Sequence, residues 1–544
     1  MAAELLDPVA MAEQWAHRRP DHIAFRLDVG RAPQAVSYAE MNALAERTTA
    51  ELAKAGVGAA TPTAVMVPPG RELLAVVLAL LRLRAVPVLV DPGLPPRQLT
   101  ACLNQAAPQA FIGIPAAHLA RLVLGWGRAS VRTTITVGPR RLWLGRASTR
   151  PGGVRSPSRP PTAEDPALLA FTSGSTGAPK GVPLRRRHLA GQADLLGRLG
   201  VLHPGSTMLS TFLPFTMACP TAGATAVVPR LKVRHPARTD PAVIVEAIGR
   251  HAVTTLFAPP ALLDRVARHC LAHGICLDSV QSVLTAGAPL PFATLRRIRR
   301  CLPATARVHS VYGATEVLLV SVADDRLLTR TAADTARGAG TCLGTALSGN
   351  LVRVIGVTDD PITRWSDRLP VPPGTIGEIT VAGPAVTDPY LHRPEDTALA
   401  RIDDGGRAVH RMGDLGWQDD QGRVWFVGRK SERVRTTGGD LYTDQVEPIF
   451  NQIPGVVRTA LVGIGLPLAQ RPVLCVQPEP ALSRTDRTAL LDRIRAAAAQ
   501  QSHTVGIEQV LWHPAFPMDV RHDSKIRRGP LARWAARQLH GGRR

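Results

Sequence analysis

The sequence predicts an α/β fold. It reads as a large N-terminal domain with mainly parallel sheets and a β-rich subdomain, followed by a small, mobile α+β C-terminal domain. Three observations predict it. Helical and strand patterns alternate through the first 110 residues or so, the signature of βαβ units. Between Leu351 and Val427 the pattern changes to short strands punctuated by Gly turns, as in GEITVAGP and GRVWFVGR. At 544 residues the chain is also too long for one ordinary core.

Tyr38–Gly56 has helical periodicity and ends in Gly. Pro62–Val67 reads as a strand, Glu72–Arg84 as a helix, and Val86–Asp91 as a strand closed by Asp-Pro-Gly. The most apolar stretch, Leu73–Val90, is broken by Arg82, Arg84 and Pro87, so it reads as a buried helix and strand and not as a membrane span. Residues 125–165 are rich in Arg, Pro, Gly and Ser and read as a mobile surface connection. Arg185–Gly200 is an amphipathic helix. Leu209–Cys219, Thr255–Ala261, Ser282–Leu290 and Arg307–Glu316 each begin as an apolar strand and end in a turn or small residues. Ligands of open α/β sheets bind beyond such strand ends, so these turns are expected to converge on one crevice. Beyond a boundary near Gly428–Ser431, residues 432–540 read as a separate α/β piece. Val456–Ile464 and Gln509–Trp512 are its strands and Asp486–Gln500 its amphipathic helix.

Composition narrows the class. Apolar residues make up 45% of the chain, as in a soluble globular protein, and the N-terminus lacks the basic and apolar regions of a secretory signal. Seven scattered cysteines without a C-x-x-C pair argue against a zinc site or disulfide framework and fit a reducing cytoplasm. The net charge of +22 invites a nucleic-acid reading. However, the excess is arginine spread over the whole chain and aromatics are only 4%, too few for base-stacking platforms. No nucleic-acid partner is expected; weak attraction to anionic membrane surfaces stays open. In so arginine-rich a chain, each of the few lysines suggests a need for a compact charge.

The stretch Ala167–Pro183, ALLAFTSGSTGAPKGVP, carries the strongest chemical signal. A short apolar strand leads into hydroxyls and glycines, then a lone lysine. Thr172, Ser173, Ser175 and Thr176 interleave with Gly174 and Gly177, so backbone N–H groups and hydroxyls can face one volume with Lys180 beside them. That suits a polyphosphate. It is not a Walker A loop, because Gly177 is followed by Ala-Pro-Lys.

The order of FTSGSTGAPKG (171–181), YGATE (312–316), GEITVAGP (377–384), HRMGDLG (410–416), GRKSERV (428–434) and HDSKIRR (522–528) resembles the acyl-adenylate-forming superfamily. That superfamily includes acyl-CoA synthetases, non-ribosomal adenylation domains and firefly-type luciferases. Three stretches are most similar to the β-lactone synthetases of long-chain olefin and β-lactone biosynthesis: VYGATEVLLVS, GRKSERVRTTGGDLYTDQVEPIFN and FPMDVRHDSKIRRGPLARWAA.

The resemblance implies attack of a carboxylate on ATP, with Mg²⁺, to give acyl-AMP and pyrophosphate. Two anions must meet, so the site must neutralise charge and hold them in line. By motif, Thr172, Ser173, Gly174, Ser175, Thr176, Gly177 and Lys180 would hold the β- and γ-phosphates. Tyr312 and Gly313 would lie against adenine, with Gly287 and Ala288 along its edge. Thr315 would bond the α-phosphate and Glu316 would offer a hard oxygen to Mg²⁺. Asp414 and Arg429 would hold the ribose hydroxyls, a carboxylate being a double acceptor. Lys525 occupies the position of the family's C-terminal catalytic lysine. Taken alone, Tyr312 would read as an ordinary aromatic, Asp414 as a turn residue and Lys525 as a solvated tail residue; the motif order is what changes those readings. The implied domains are residues 1–428, a hinge at 429–431, and a lid at 432–544.

Three departures bear on the second half-reaction. Phe215-Thr216 stands where the family often has an aromatic–His pair, Ser431 where it usually has Asp or Lys, and Ser524 where it usually has Gly. The missing His weakens thioester formation, while none of the three touches the ATP motifs. The resemblance therefore implies a β-lactone synthetase acting on a long-chain 2-alkyl-3-hydroxy acid. A fatty acyl-CoA synthetase or fatty acyl-AMP ligase is the alternative, and other enzymes of a pathway are expected partners. Phe212, Phe215 and Thr216 are the expected acyl-side residues.

Overall fold

The computed structural model describes residues 7–29, 32–138, 141–147, 160–172, 179–232, 235–480, 482–519 and 525–541. Two β-sheets form the body of the chain. In the first, of seven strands, Pro62–Met66, Val86–Leu89, Ala110–Gly113, Thr133–Gly138 and Pro166–Phe171 run parallel. Arg141–Ala147 and Gly181–Arg185 close its edges antiparallel. The helix Arg71–Arg82 lies between two of these strands in sequence, and its residues Leu73–Leu80 are all buried, which explains the apolar run that precedes Val90.

The second sheet, of 14 strands, changes character along its width. Ile23–Leu27, Thr225–Val228, Thr207–Ser210, Thr255–Phe257, Ser282–Ala286 and Arg307–Ala314 are parallel. From Arg307–Ala314 onward the pairing is antiparallel, through Val317–Asp324, Thr341–Ala346, Val424–Arg429, Arg407–Gln418, Gly377–Ala382 and Leu351–Ile355. The expected parallel domain and β-rich subdomain are thus one continuous sheet, joined at the YGATE strand. Antiparallel pairing needs only short turns, which is why the Gly-punctuated stretch reads so differently from the βαβ part.

Past Arg429 a 3₁₀ turn, Lys430–Glu432, leads to a short hairpin and then to a three-stranded sheet of Val456–Ile464, Arg471–Pro478 and Gln509–Trp512. Helices Thr443–Asn451 and Arg484–Ala498 pack on one side of it, around Phe450, Leu461 and Leu490. Helix Arg528–Gly541 packs on the other, around Val473, Phe516 and Leu531. Each face of this sheet therefore has its own apolar cluster.

Two expectations are corrected. Part of 125–165 is not a loose connection: Thr133–Gly138 is an inner strand with Ile135 and Val137 buried, followed by Arg141–Ala147. The arginines around it masked a short β-branched alternation. Within Leu209–Cys219 the strand ends at Ser210, and Leu213–Ala218 is a helix with Pro214 in its first turn.

Candidate active site

The glycine-rich loop springs from an antiparallel pair in which Phe171 faces Gly181. Its neck is pinched twice: Thr172 N donates to Lys180 O at 3.1 Å, and Lys180 N donates to Thr172 Oγ1 at 3.2 Å. Ser173, Gly174, Ser175, Thr176 and Gly177 lie outside the described residues. Lys180 Nζ is 2.8 Å from Asp396 Oδ1 and 5.0 Å from the centre of the Tyr390 ring.

YGATE folds as a tight hairpin. Tyr312 is on the first strand, and Thr315-Glu316 forms the two-residue turn between paired Ala314 and Val317. The register shifts at Gly313, where a Cβ would come within 2.8 Å of Val317 O, so only glycine lets the two strands approach this closely. The Tyr390 hydroxyl donates to Glu316 Oε1 at 2.5 Å. Burial, then the Glu316 carboxylate, raises that hydroxyl above the ordinary tyrosine range, so it remains a donor. Lys180, Tyr390 and Glu316 therefore form one chain of contacts between the neck of the loop and the hairpin turn. Gly287 and Ala288 follow the neighbouring strand Ser282–Ala286, and Gly287 has φ +93°, a conformation side-chain-bearing residues avoid.

Asp414 and Arg429 are direct cross-strand partners. Arg429 Nη1 lies 2.8 Å from Asp414 Oδ1, and the Tyr312 hydroxyl donates to Asp414 Oδ2 at 2.7 Å. Both oxygens of this buried carboxylate are thus engaged. The Asp414 carboxylate holds the Arg429 guanidinium above its usual range. Burial, then Asp414, raises the Tyr312 hydroxyl. Alongside, Arg411 and Lys430 both bind Glu378 Oε2, at 2.6 and 3.0 Å, fixing the backbone on either side of the ribose candidates. Arg411 also donates to Thr358 O and Asp360 O, at 2.7 and 2.8 Å, so its whole buried fork is used.

Lys525 belongs to the C-terminal piece. Its backbone is clamped to Asp519: Lys525 N donates to Asp519 Oδ1 and Asp519 N donates to Lys525 O, both at 2.8 Å. Burial, then the Arg429 charge, pulls the ammonium below the usual lysine range, with Asp519, Asp414 and Glu432 opposing. Lys525 thus shares a field with the Asp414–Arg429 pair.

The acyl-side candidates are closely packed. Phe212, Phe215 and Phe257 pack ring to ring, with centroids 5.4, 5.9 and 4.6 Å apart. Phe215 and Thr216 are each 3% exposed. The Thr216 hydroxyl faces Phe212 O of its own helix at 3.4 Å. Of the three, only half-buried Phe212 has surface to offer.

Sequence reasoning missed Tyr390, Asp396 and His410. Tyr390 had one faint signal, being one of only four tyrosines in the chain. His410 lies inside a quoted motif, yet nothing local marks it. It is 3% exposed with Nδ1 unpartnered, and burial lowers its pKa to about 4, with the Glu316 and Asp414 charges opposing, so it is a neutral imidazole.

Residues 12–391 match the family model described as "AMP-binding enzyme". The chain is 46% identical over 547 residues to the olefin beta-lactone synthetase of Stenotrophomonas maltophilia strain K279a, covering 97% of this chain and 98% of that one. It is 43% identical over 550 residues to the enzyme of the same name from Xanthomonas campestris pv. campestris, with 98% of each covered. The fold is shared with O-succinylbenzoate coenzyme A synthetase from Bacillus subtilis, solved with ATP and magnesium ion. That likeness has a TM-score of 0.75 and 19% identity, covering 96% of this chain and 98% of that one. It is shared too with the amide bond synthetase McbA from Marinactinospora thermotolerans, with a TM-score of 0.77 and 19% identity over 97% and 99%. The chain belongs to the AMP-binding enzyme family and is an AMP-forming, acid-activating ligase.

Proposed function

We propose that this enzyme is a β-lactone synthetase: it adenylates a long-chain 3-hydroxy acid, 2-alkylated in the leading reading, and closes the lactone ring on the same site. The carrying observation is identity of 46% over nearly the whole of both chains with an olefin beta-lactone synthetase. The first step joins a carboxylate oxygen to the α-phosphorus of ATP and releases pyrophosphate. In the second, the substrate's own 3-hydroxyl attacks the acyl carbon. A C–O bond forms, the bond from that carbon to the phosphate oxygen breaks, AMP leaves and the hydroxyl proton passes to solvent. No second substrate is needed, and held orientation offsets the ring strain.

In this reading Thr172 and Lys180 hold the phosphates with the intervening loop. Thr315 bonds the α-phosphate, Tyr312, Gly287 and Ala288 flank adenine, and Asp414 with Arg429 holds the ribose. The paired geometry around Asp414 supports this, since its strands are braced by the protein's own side chains. Glu316, the hard oxygen at the hairpin turn, is the candidate to hold Mg²⁺, which would neutralise phosphate charge. Lys525 supplies a compact cation where negative charge develops. Residues 429–431 act as the hinge between the body and the lid. In support, Arg433 and Arg435 just past it bind Asp359 of the body at 2.8 and 3.1 Å, contacts a moving lid could exchange.

The test is incubation of enzyme with MgATP and a 2-alkyl-3-hydroxy acid, without CoA, followed by mass spectrometry. β-Lactone and AMP in equal amounts are expected. AMP without lactone, or robust turnover of plain fatty acids only when CoA is added, would replace this reading with an acyl-CoA or acyl-AMP ligase.

A further inference from the structure

We propose that the helix Pro115–Leu124 is a lipid-contacting element that seats the enzyme on an anionic membrane surface. This helix is built inside out. Its polar side chains face the protein: His118 Nε2 lies 3.0 Å from Ile135 O, the His118 and Phe111 rings meet edge to face at 5.2 Å, and the Arg121 guanidinium sits 5.7 Å from the Phe111 ring centre. Its small Ala117 and Ala120 pack against the sheet, while its large apolar side chains face outward, with Leu119 65%, Leu122 69% and Val123 75% exposed, and Leu124 40%. No residue of the helix is buried. Leu119, Leu122 and Val123 stand at i, i+3 and i+4 and so form one stripe, the spacing that ordinarily turns toward a core. An exposed stripe of this kind marks a surface that something apolar covers.

Charge selects the occupant. From residue 92 to residue 163 the chain has ten arginines and no Asp or Glu. Arg128 and Arg132, just past the helix, are exposed. A second copy of this chain would bring the same arginines against them. An anionic lipid surface satisfies both features at once, taking the leucines at the acyl boundary and Arg128 and Arg132 at the phosphates. Ten residues cannot span a bilayer, so the helix lies in the interface plane and binding is reversible. Among the described residues no helix is long and apolar enough to cross a membrane, so contact of this shallow kind is what the fold permits. The inference does not depend on which acid the enzyme activates.

The experiment is co-sedimentation of the full-length protein with vesicles of phosphatidylcholine alone or mixed with phosphatidylglycerol. Wild-type protein should pellet with the anionic vesicles, and added salt should release it. The variant combining Leu119→Glu with Leu122→Glu should bind at least about tenfold more weakly. Leu122→Ser, a milder change, should bind at an intermediate level. Thermal melting and ATP–pyrophosphate exchange with a water-soluble acid should be unchanged in both, which separates lost lipid contact from misfolding. Wild-type protein that ignores anionic vesicles, or variants that pellet as well as wild type, would overturn the proposal. So would a lipid-indifferent dimer, or a lipid-indifferent complex with another protein, that the glutamate variant dissociates.

Discussion

Asp414 and Lys180 are both charged residues of the candidate nucleotide site, but they are held in different ways. Asp414 is buried, has both oxygens engaged, and sits on a strand whose neighbours are tied by Arg411, Glu378 and Lys430. Lys180 stands at the neck of the glycine-rich loop and pairs with one half-buried carboxylate, Asp396. The first arrangement is held on every side by protein groups, so it is a rigid frame. The second must trade a protein partner for phosphate. The difference teaches where rigidity is useful: the end of the nucleotide that does not react can be gripped by a fixed frame. In the proposed function, the end where charge moves needs groups free to exchange partners, and Lys180 from the loop and Lys525 from the C-terminal piece are the candidates.

The largest expected effect comes from removing the cation of the C-terminal piece. Lys525→Ala is expected to lower the rate of adenylation by about 10²–10³, with ATP KM little changed because the fixed frame is intact. Single-turnover pyrophosphate release measures it. A rise in KM with rate preserved would move Lys525 to the binding side.

Next is the frame itself. Asp414→Ala strands the Arg429 guanidinium and the Tyr312 hydroxyl together. Charge-assisted hydrogen bonds are worth roughly 1.5–3 kcal/mol each, so ATP affinity should fall by at least about tenfold, with a lower melting temperature. Titration calorimetry and thermal melts check both; unchanged affinity would show the cluster to be purely structural.

A smaller effect concerns pH. Burial and Arg429 depress Lys525, and the protonated form is the one that stabilises developing anionic charge. Activity should therefore fall as pH rises through that lowered value, on an alkaline limb below the usual lysine range. Lys525→Arg should remove the limb even where it lowers the rate, because guanidinium does not titrate there.

The smallest effect is at the exchangeable pair. Asp396→Asn frees Lys180 from its competitor, and a partly exposed ion pair is worth at most about 1 kcal/mol. ATP KM should fall by no more than about fivefold, read from initial rates at varied ATP. A large rise would mean that Asp396 orients Lys180 and does not compete with phosphate.

Much of the fold was legible because its signals are local. The helix over Tyr38–Lys54, the buried run before Val90 and the strand Pro166–Phe171 follow from the spacing of apolar residues within each segment. The strand Thr133–Gly138 was not legible, because the composition of the arginine-rich residues around it outweighed a short alternation. Phe215 and Thr216 were expected on the acyl side from the family's motif; that they sit buried on a short helix beside Phe257 depends on packing between distant segments.

By itself, the sequence determined the order of strands and turns, the hydroxyl- and glycine-rich loop with its lysine, and the motif residues Tyr312, Thr315, Glu316, Asp414, Arg429 and Lys525. The strands, the turns and the loop rest on chemistry between near neighbours in the chain; the motif residues rest on the family resemblance that their order carries. Only the tertiary structure decided that Tyr312 bonds Asp414, 102 residues away, and that Tyr390 reaches Glu316 across 74. It alone turned the leucines of Pro115–Leu124 outward. Such pairings depend on which strand lies opposite which, and in what register. A one-residue slip would send Asp414 to the other face of its sheet, so register, which no single segment encodes, sets the site.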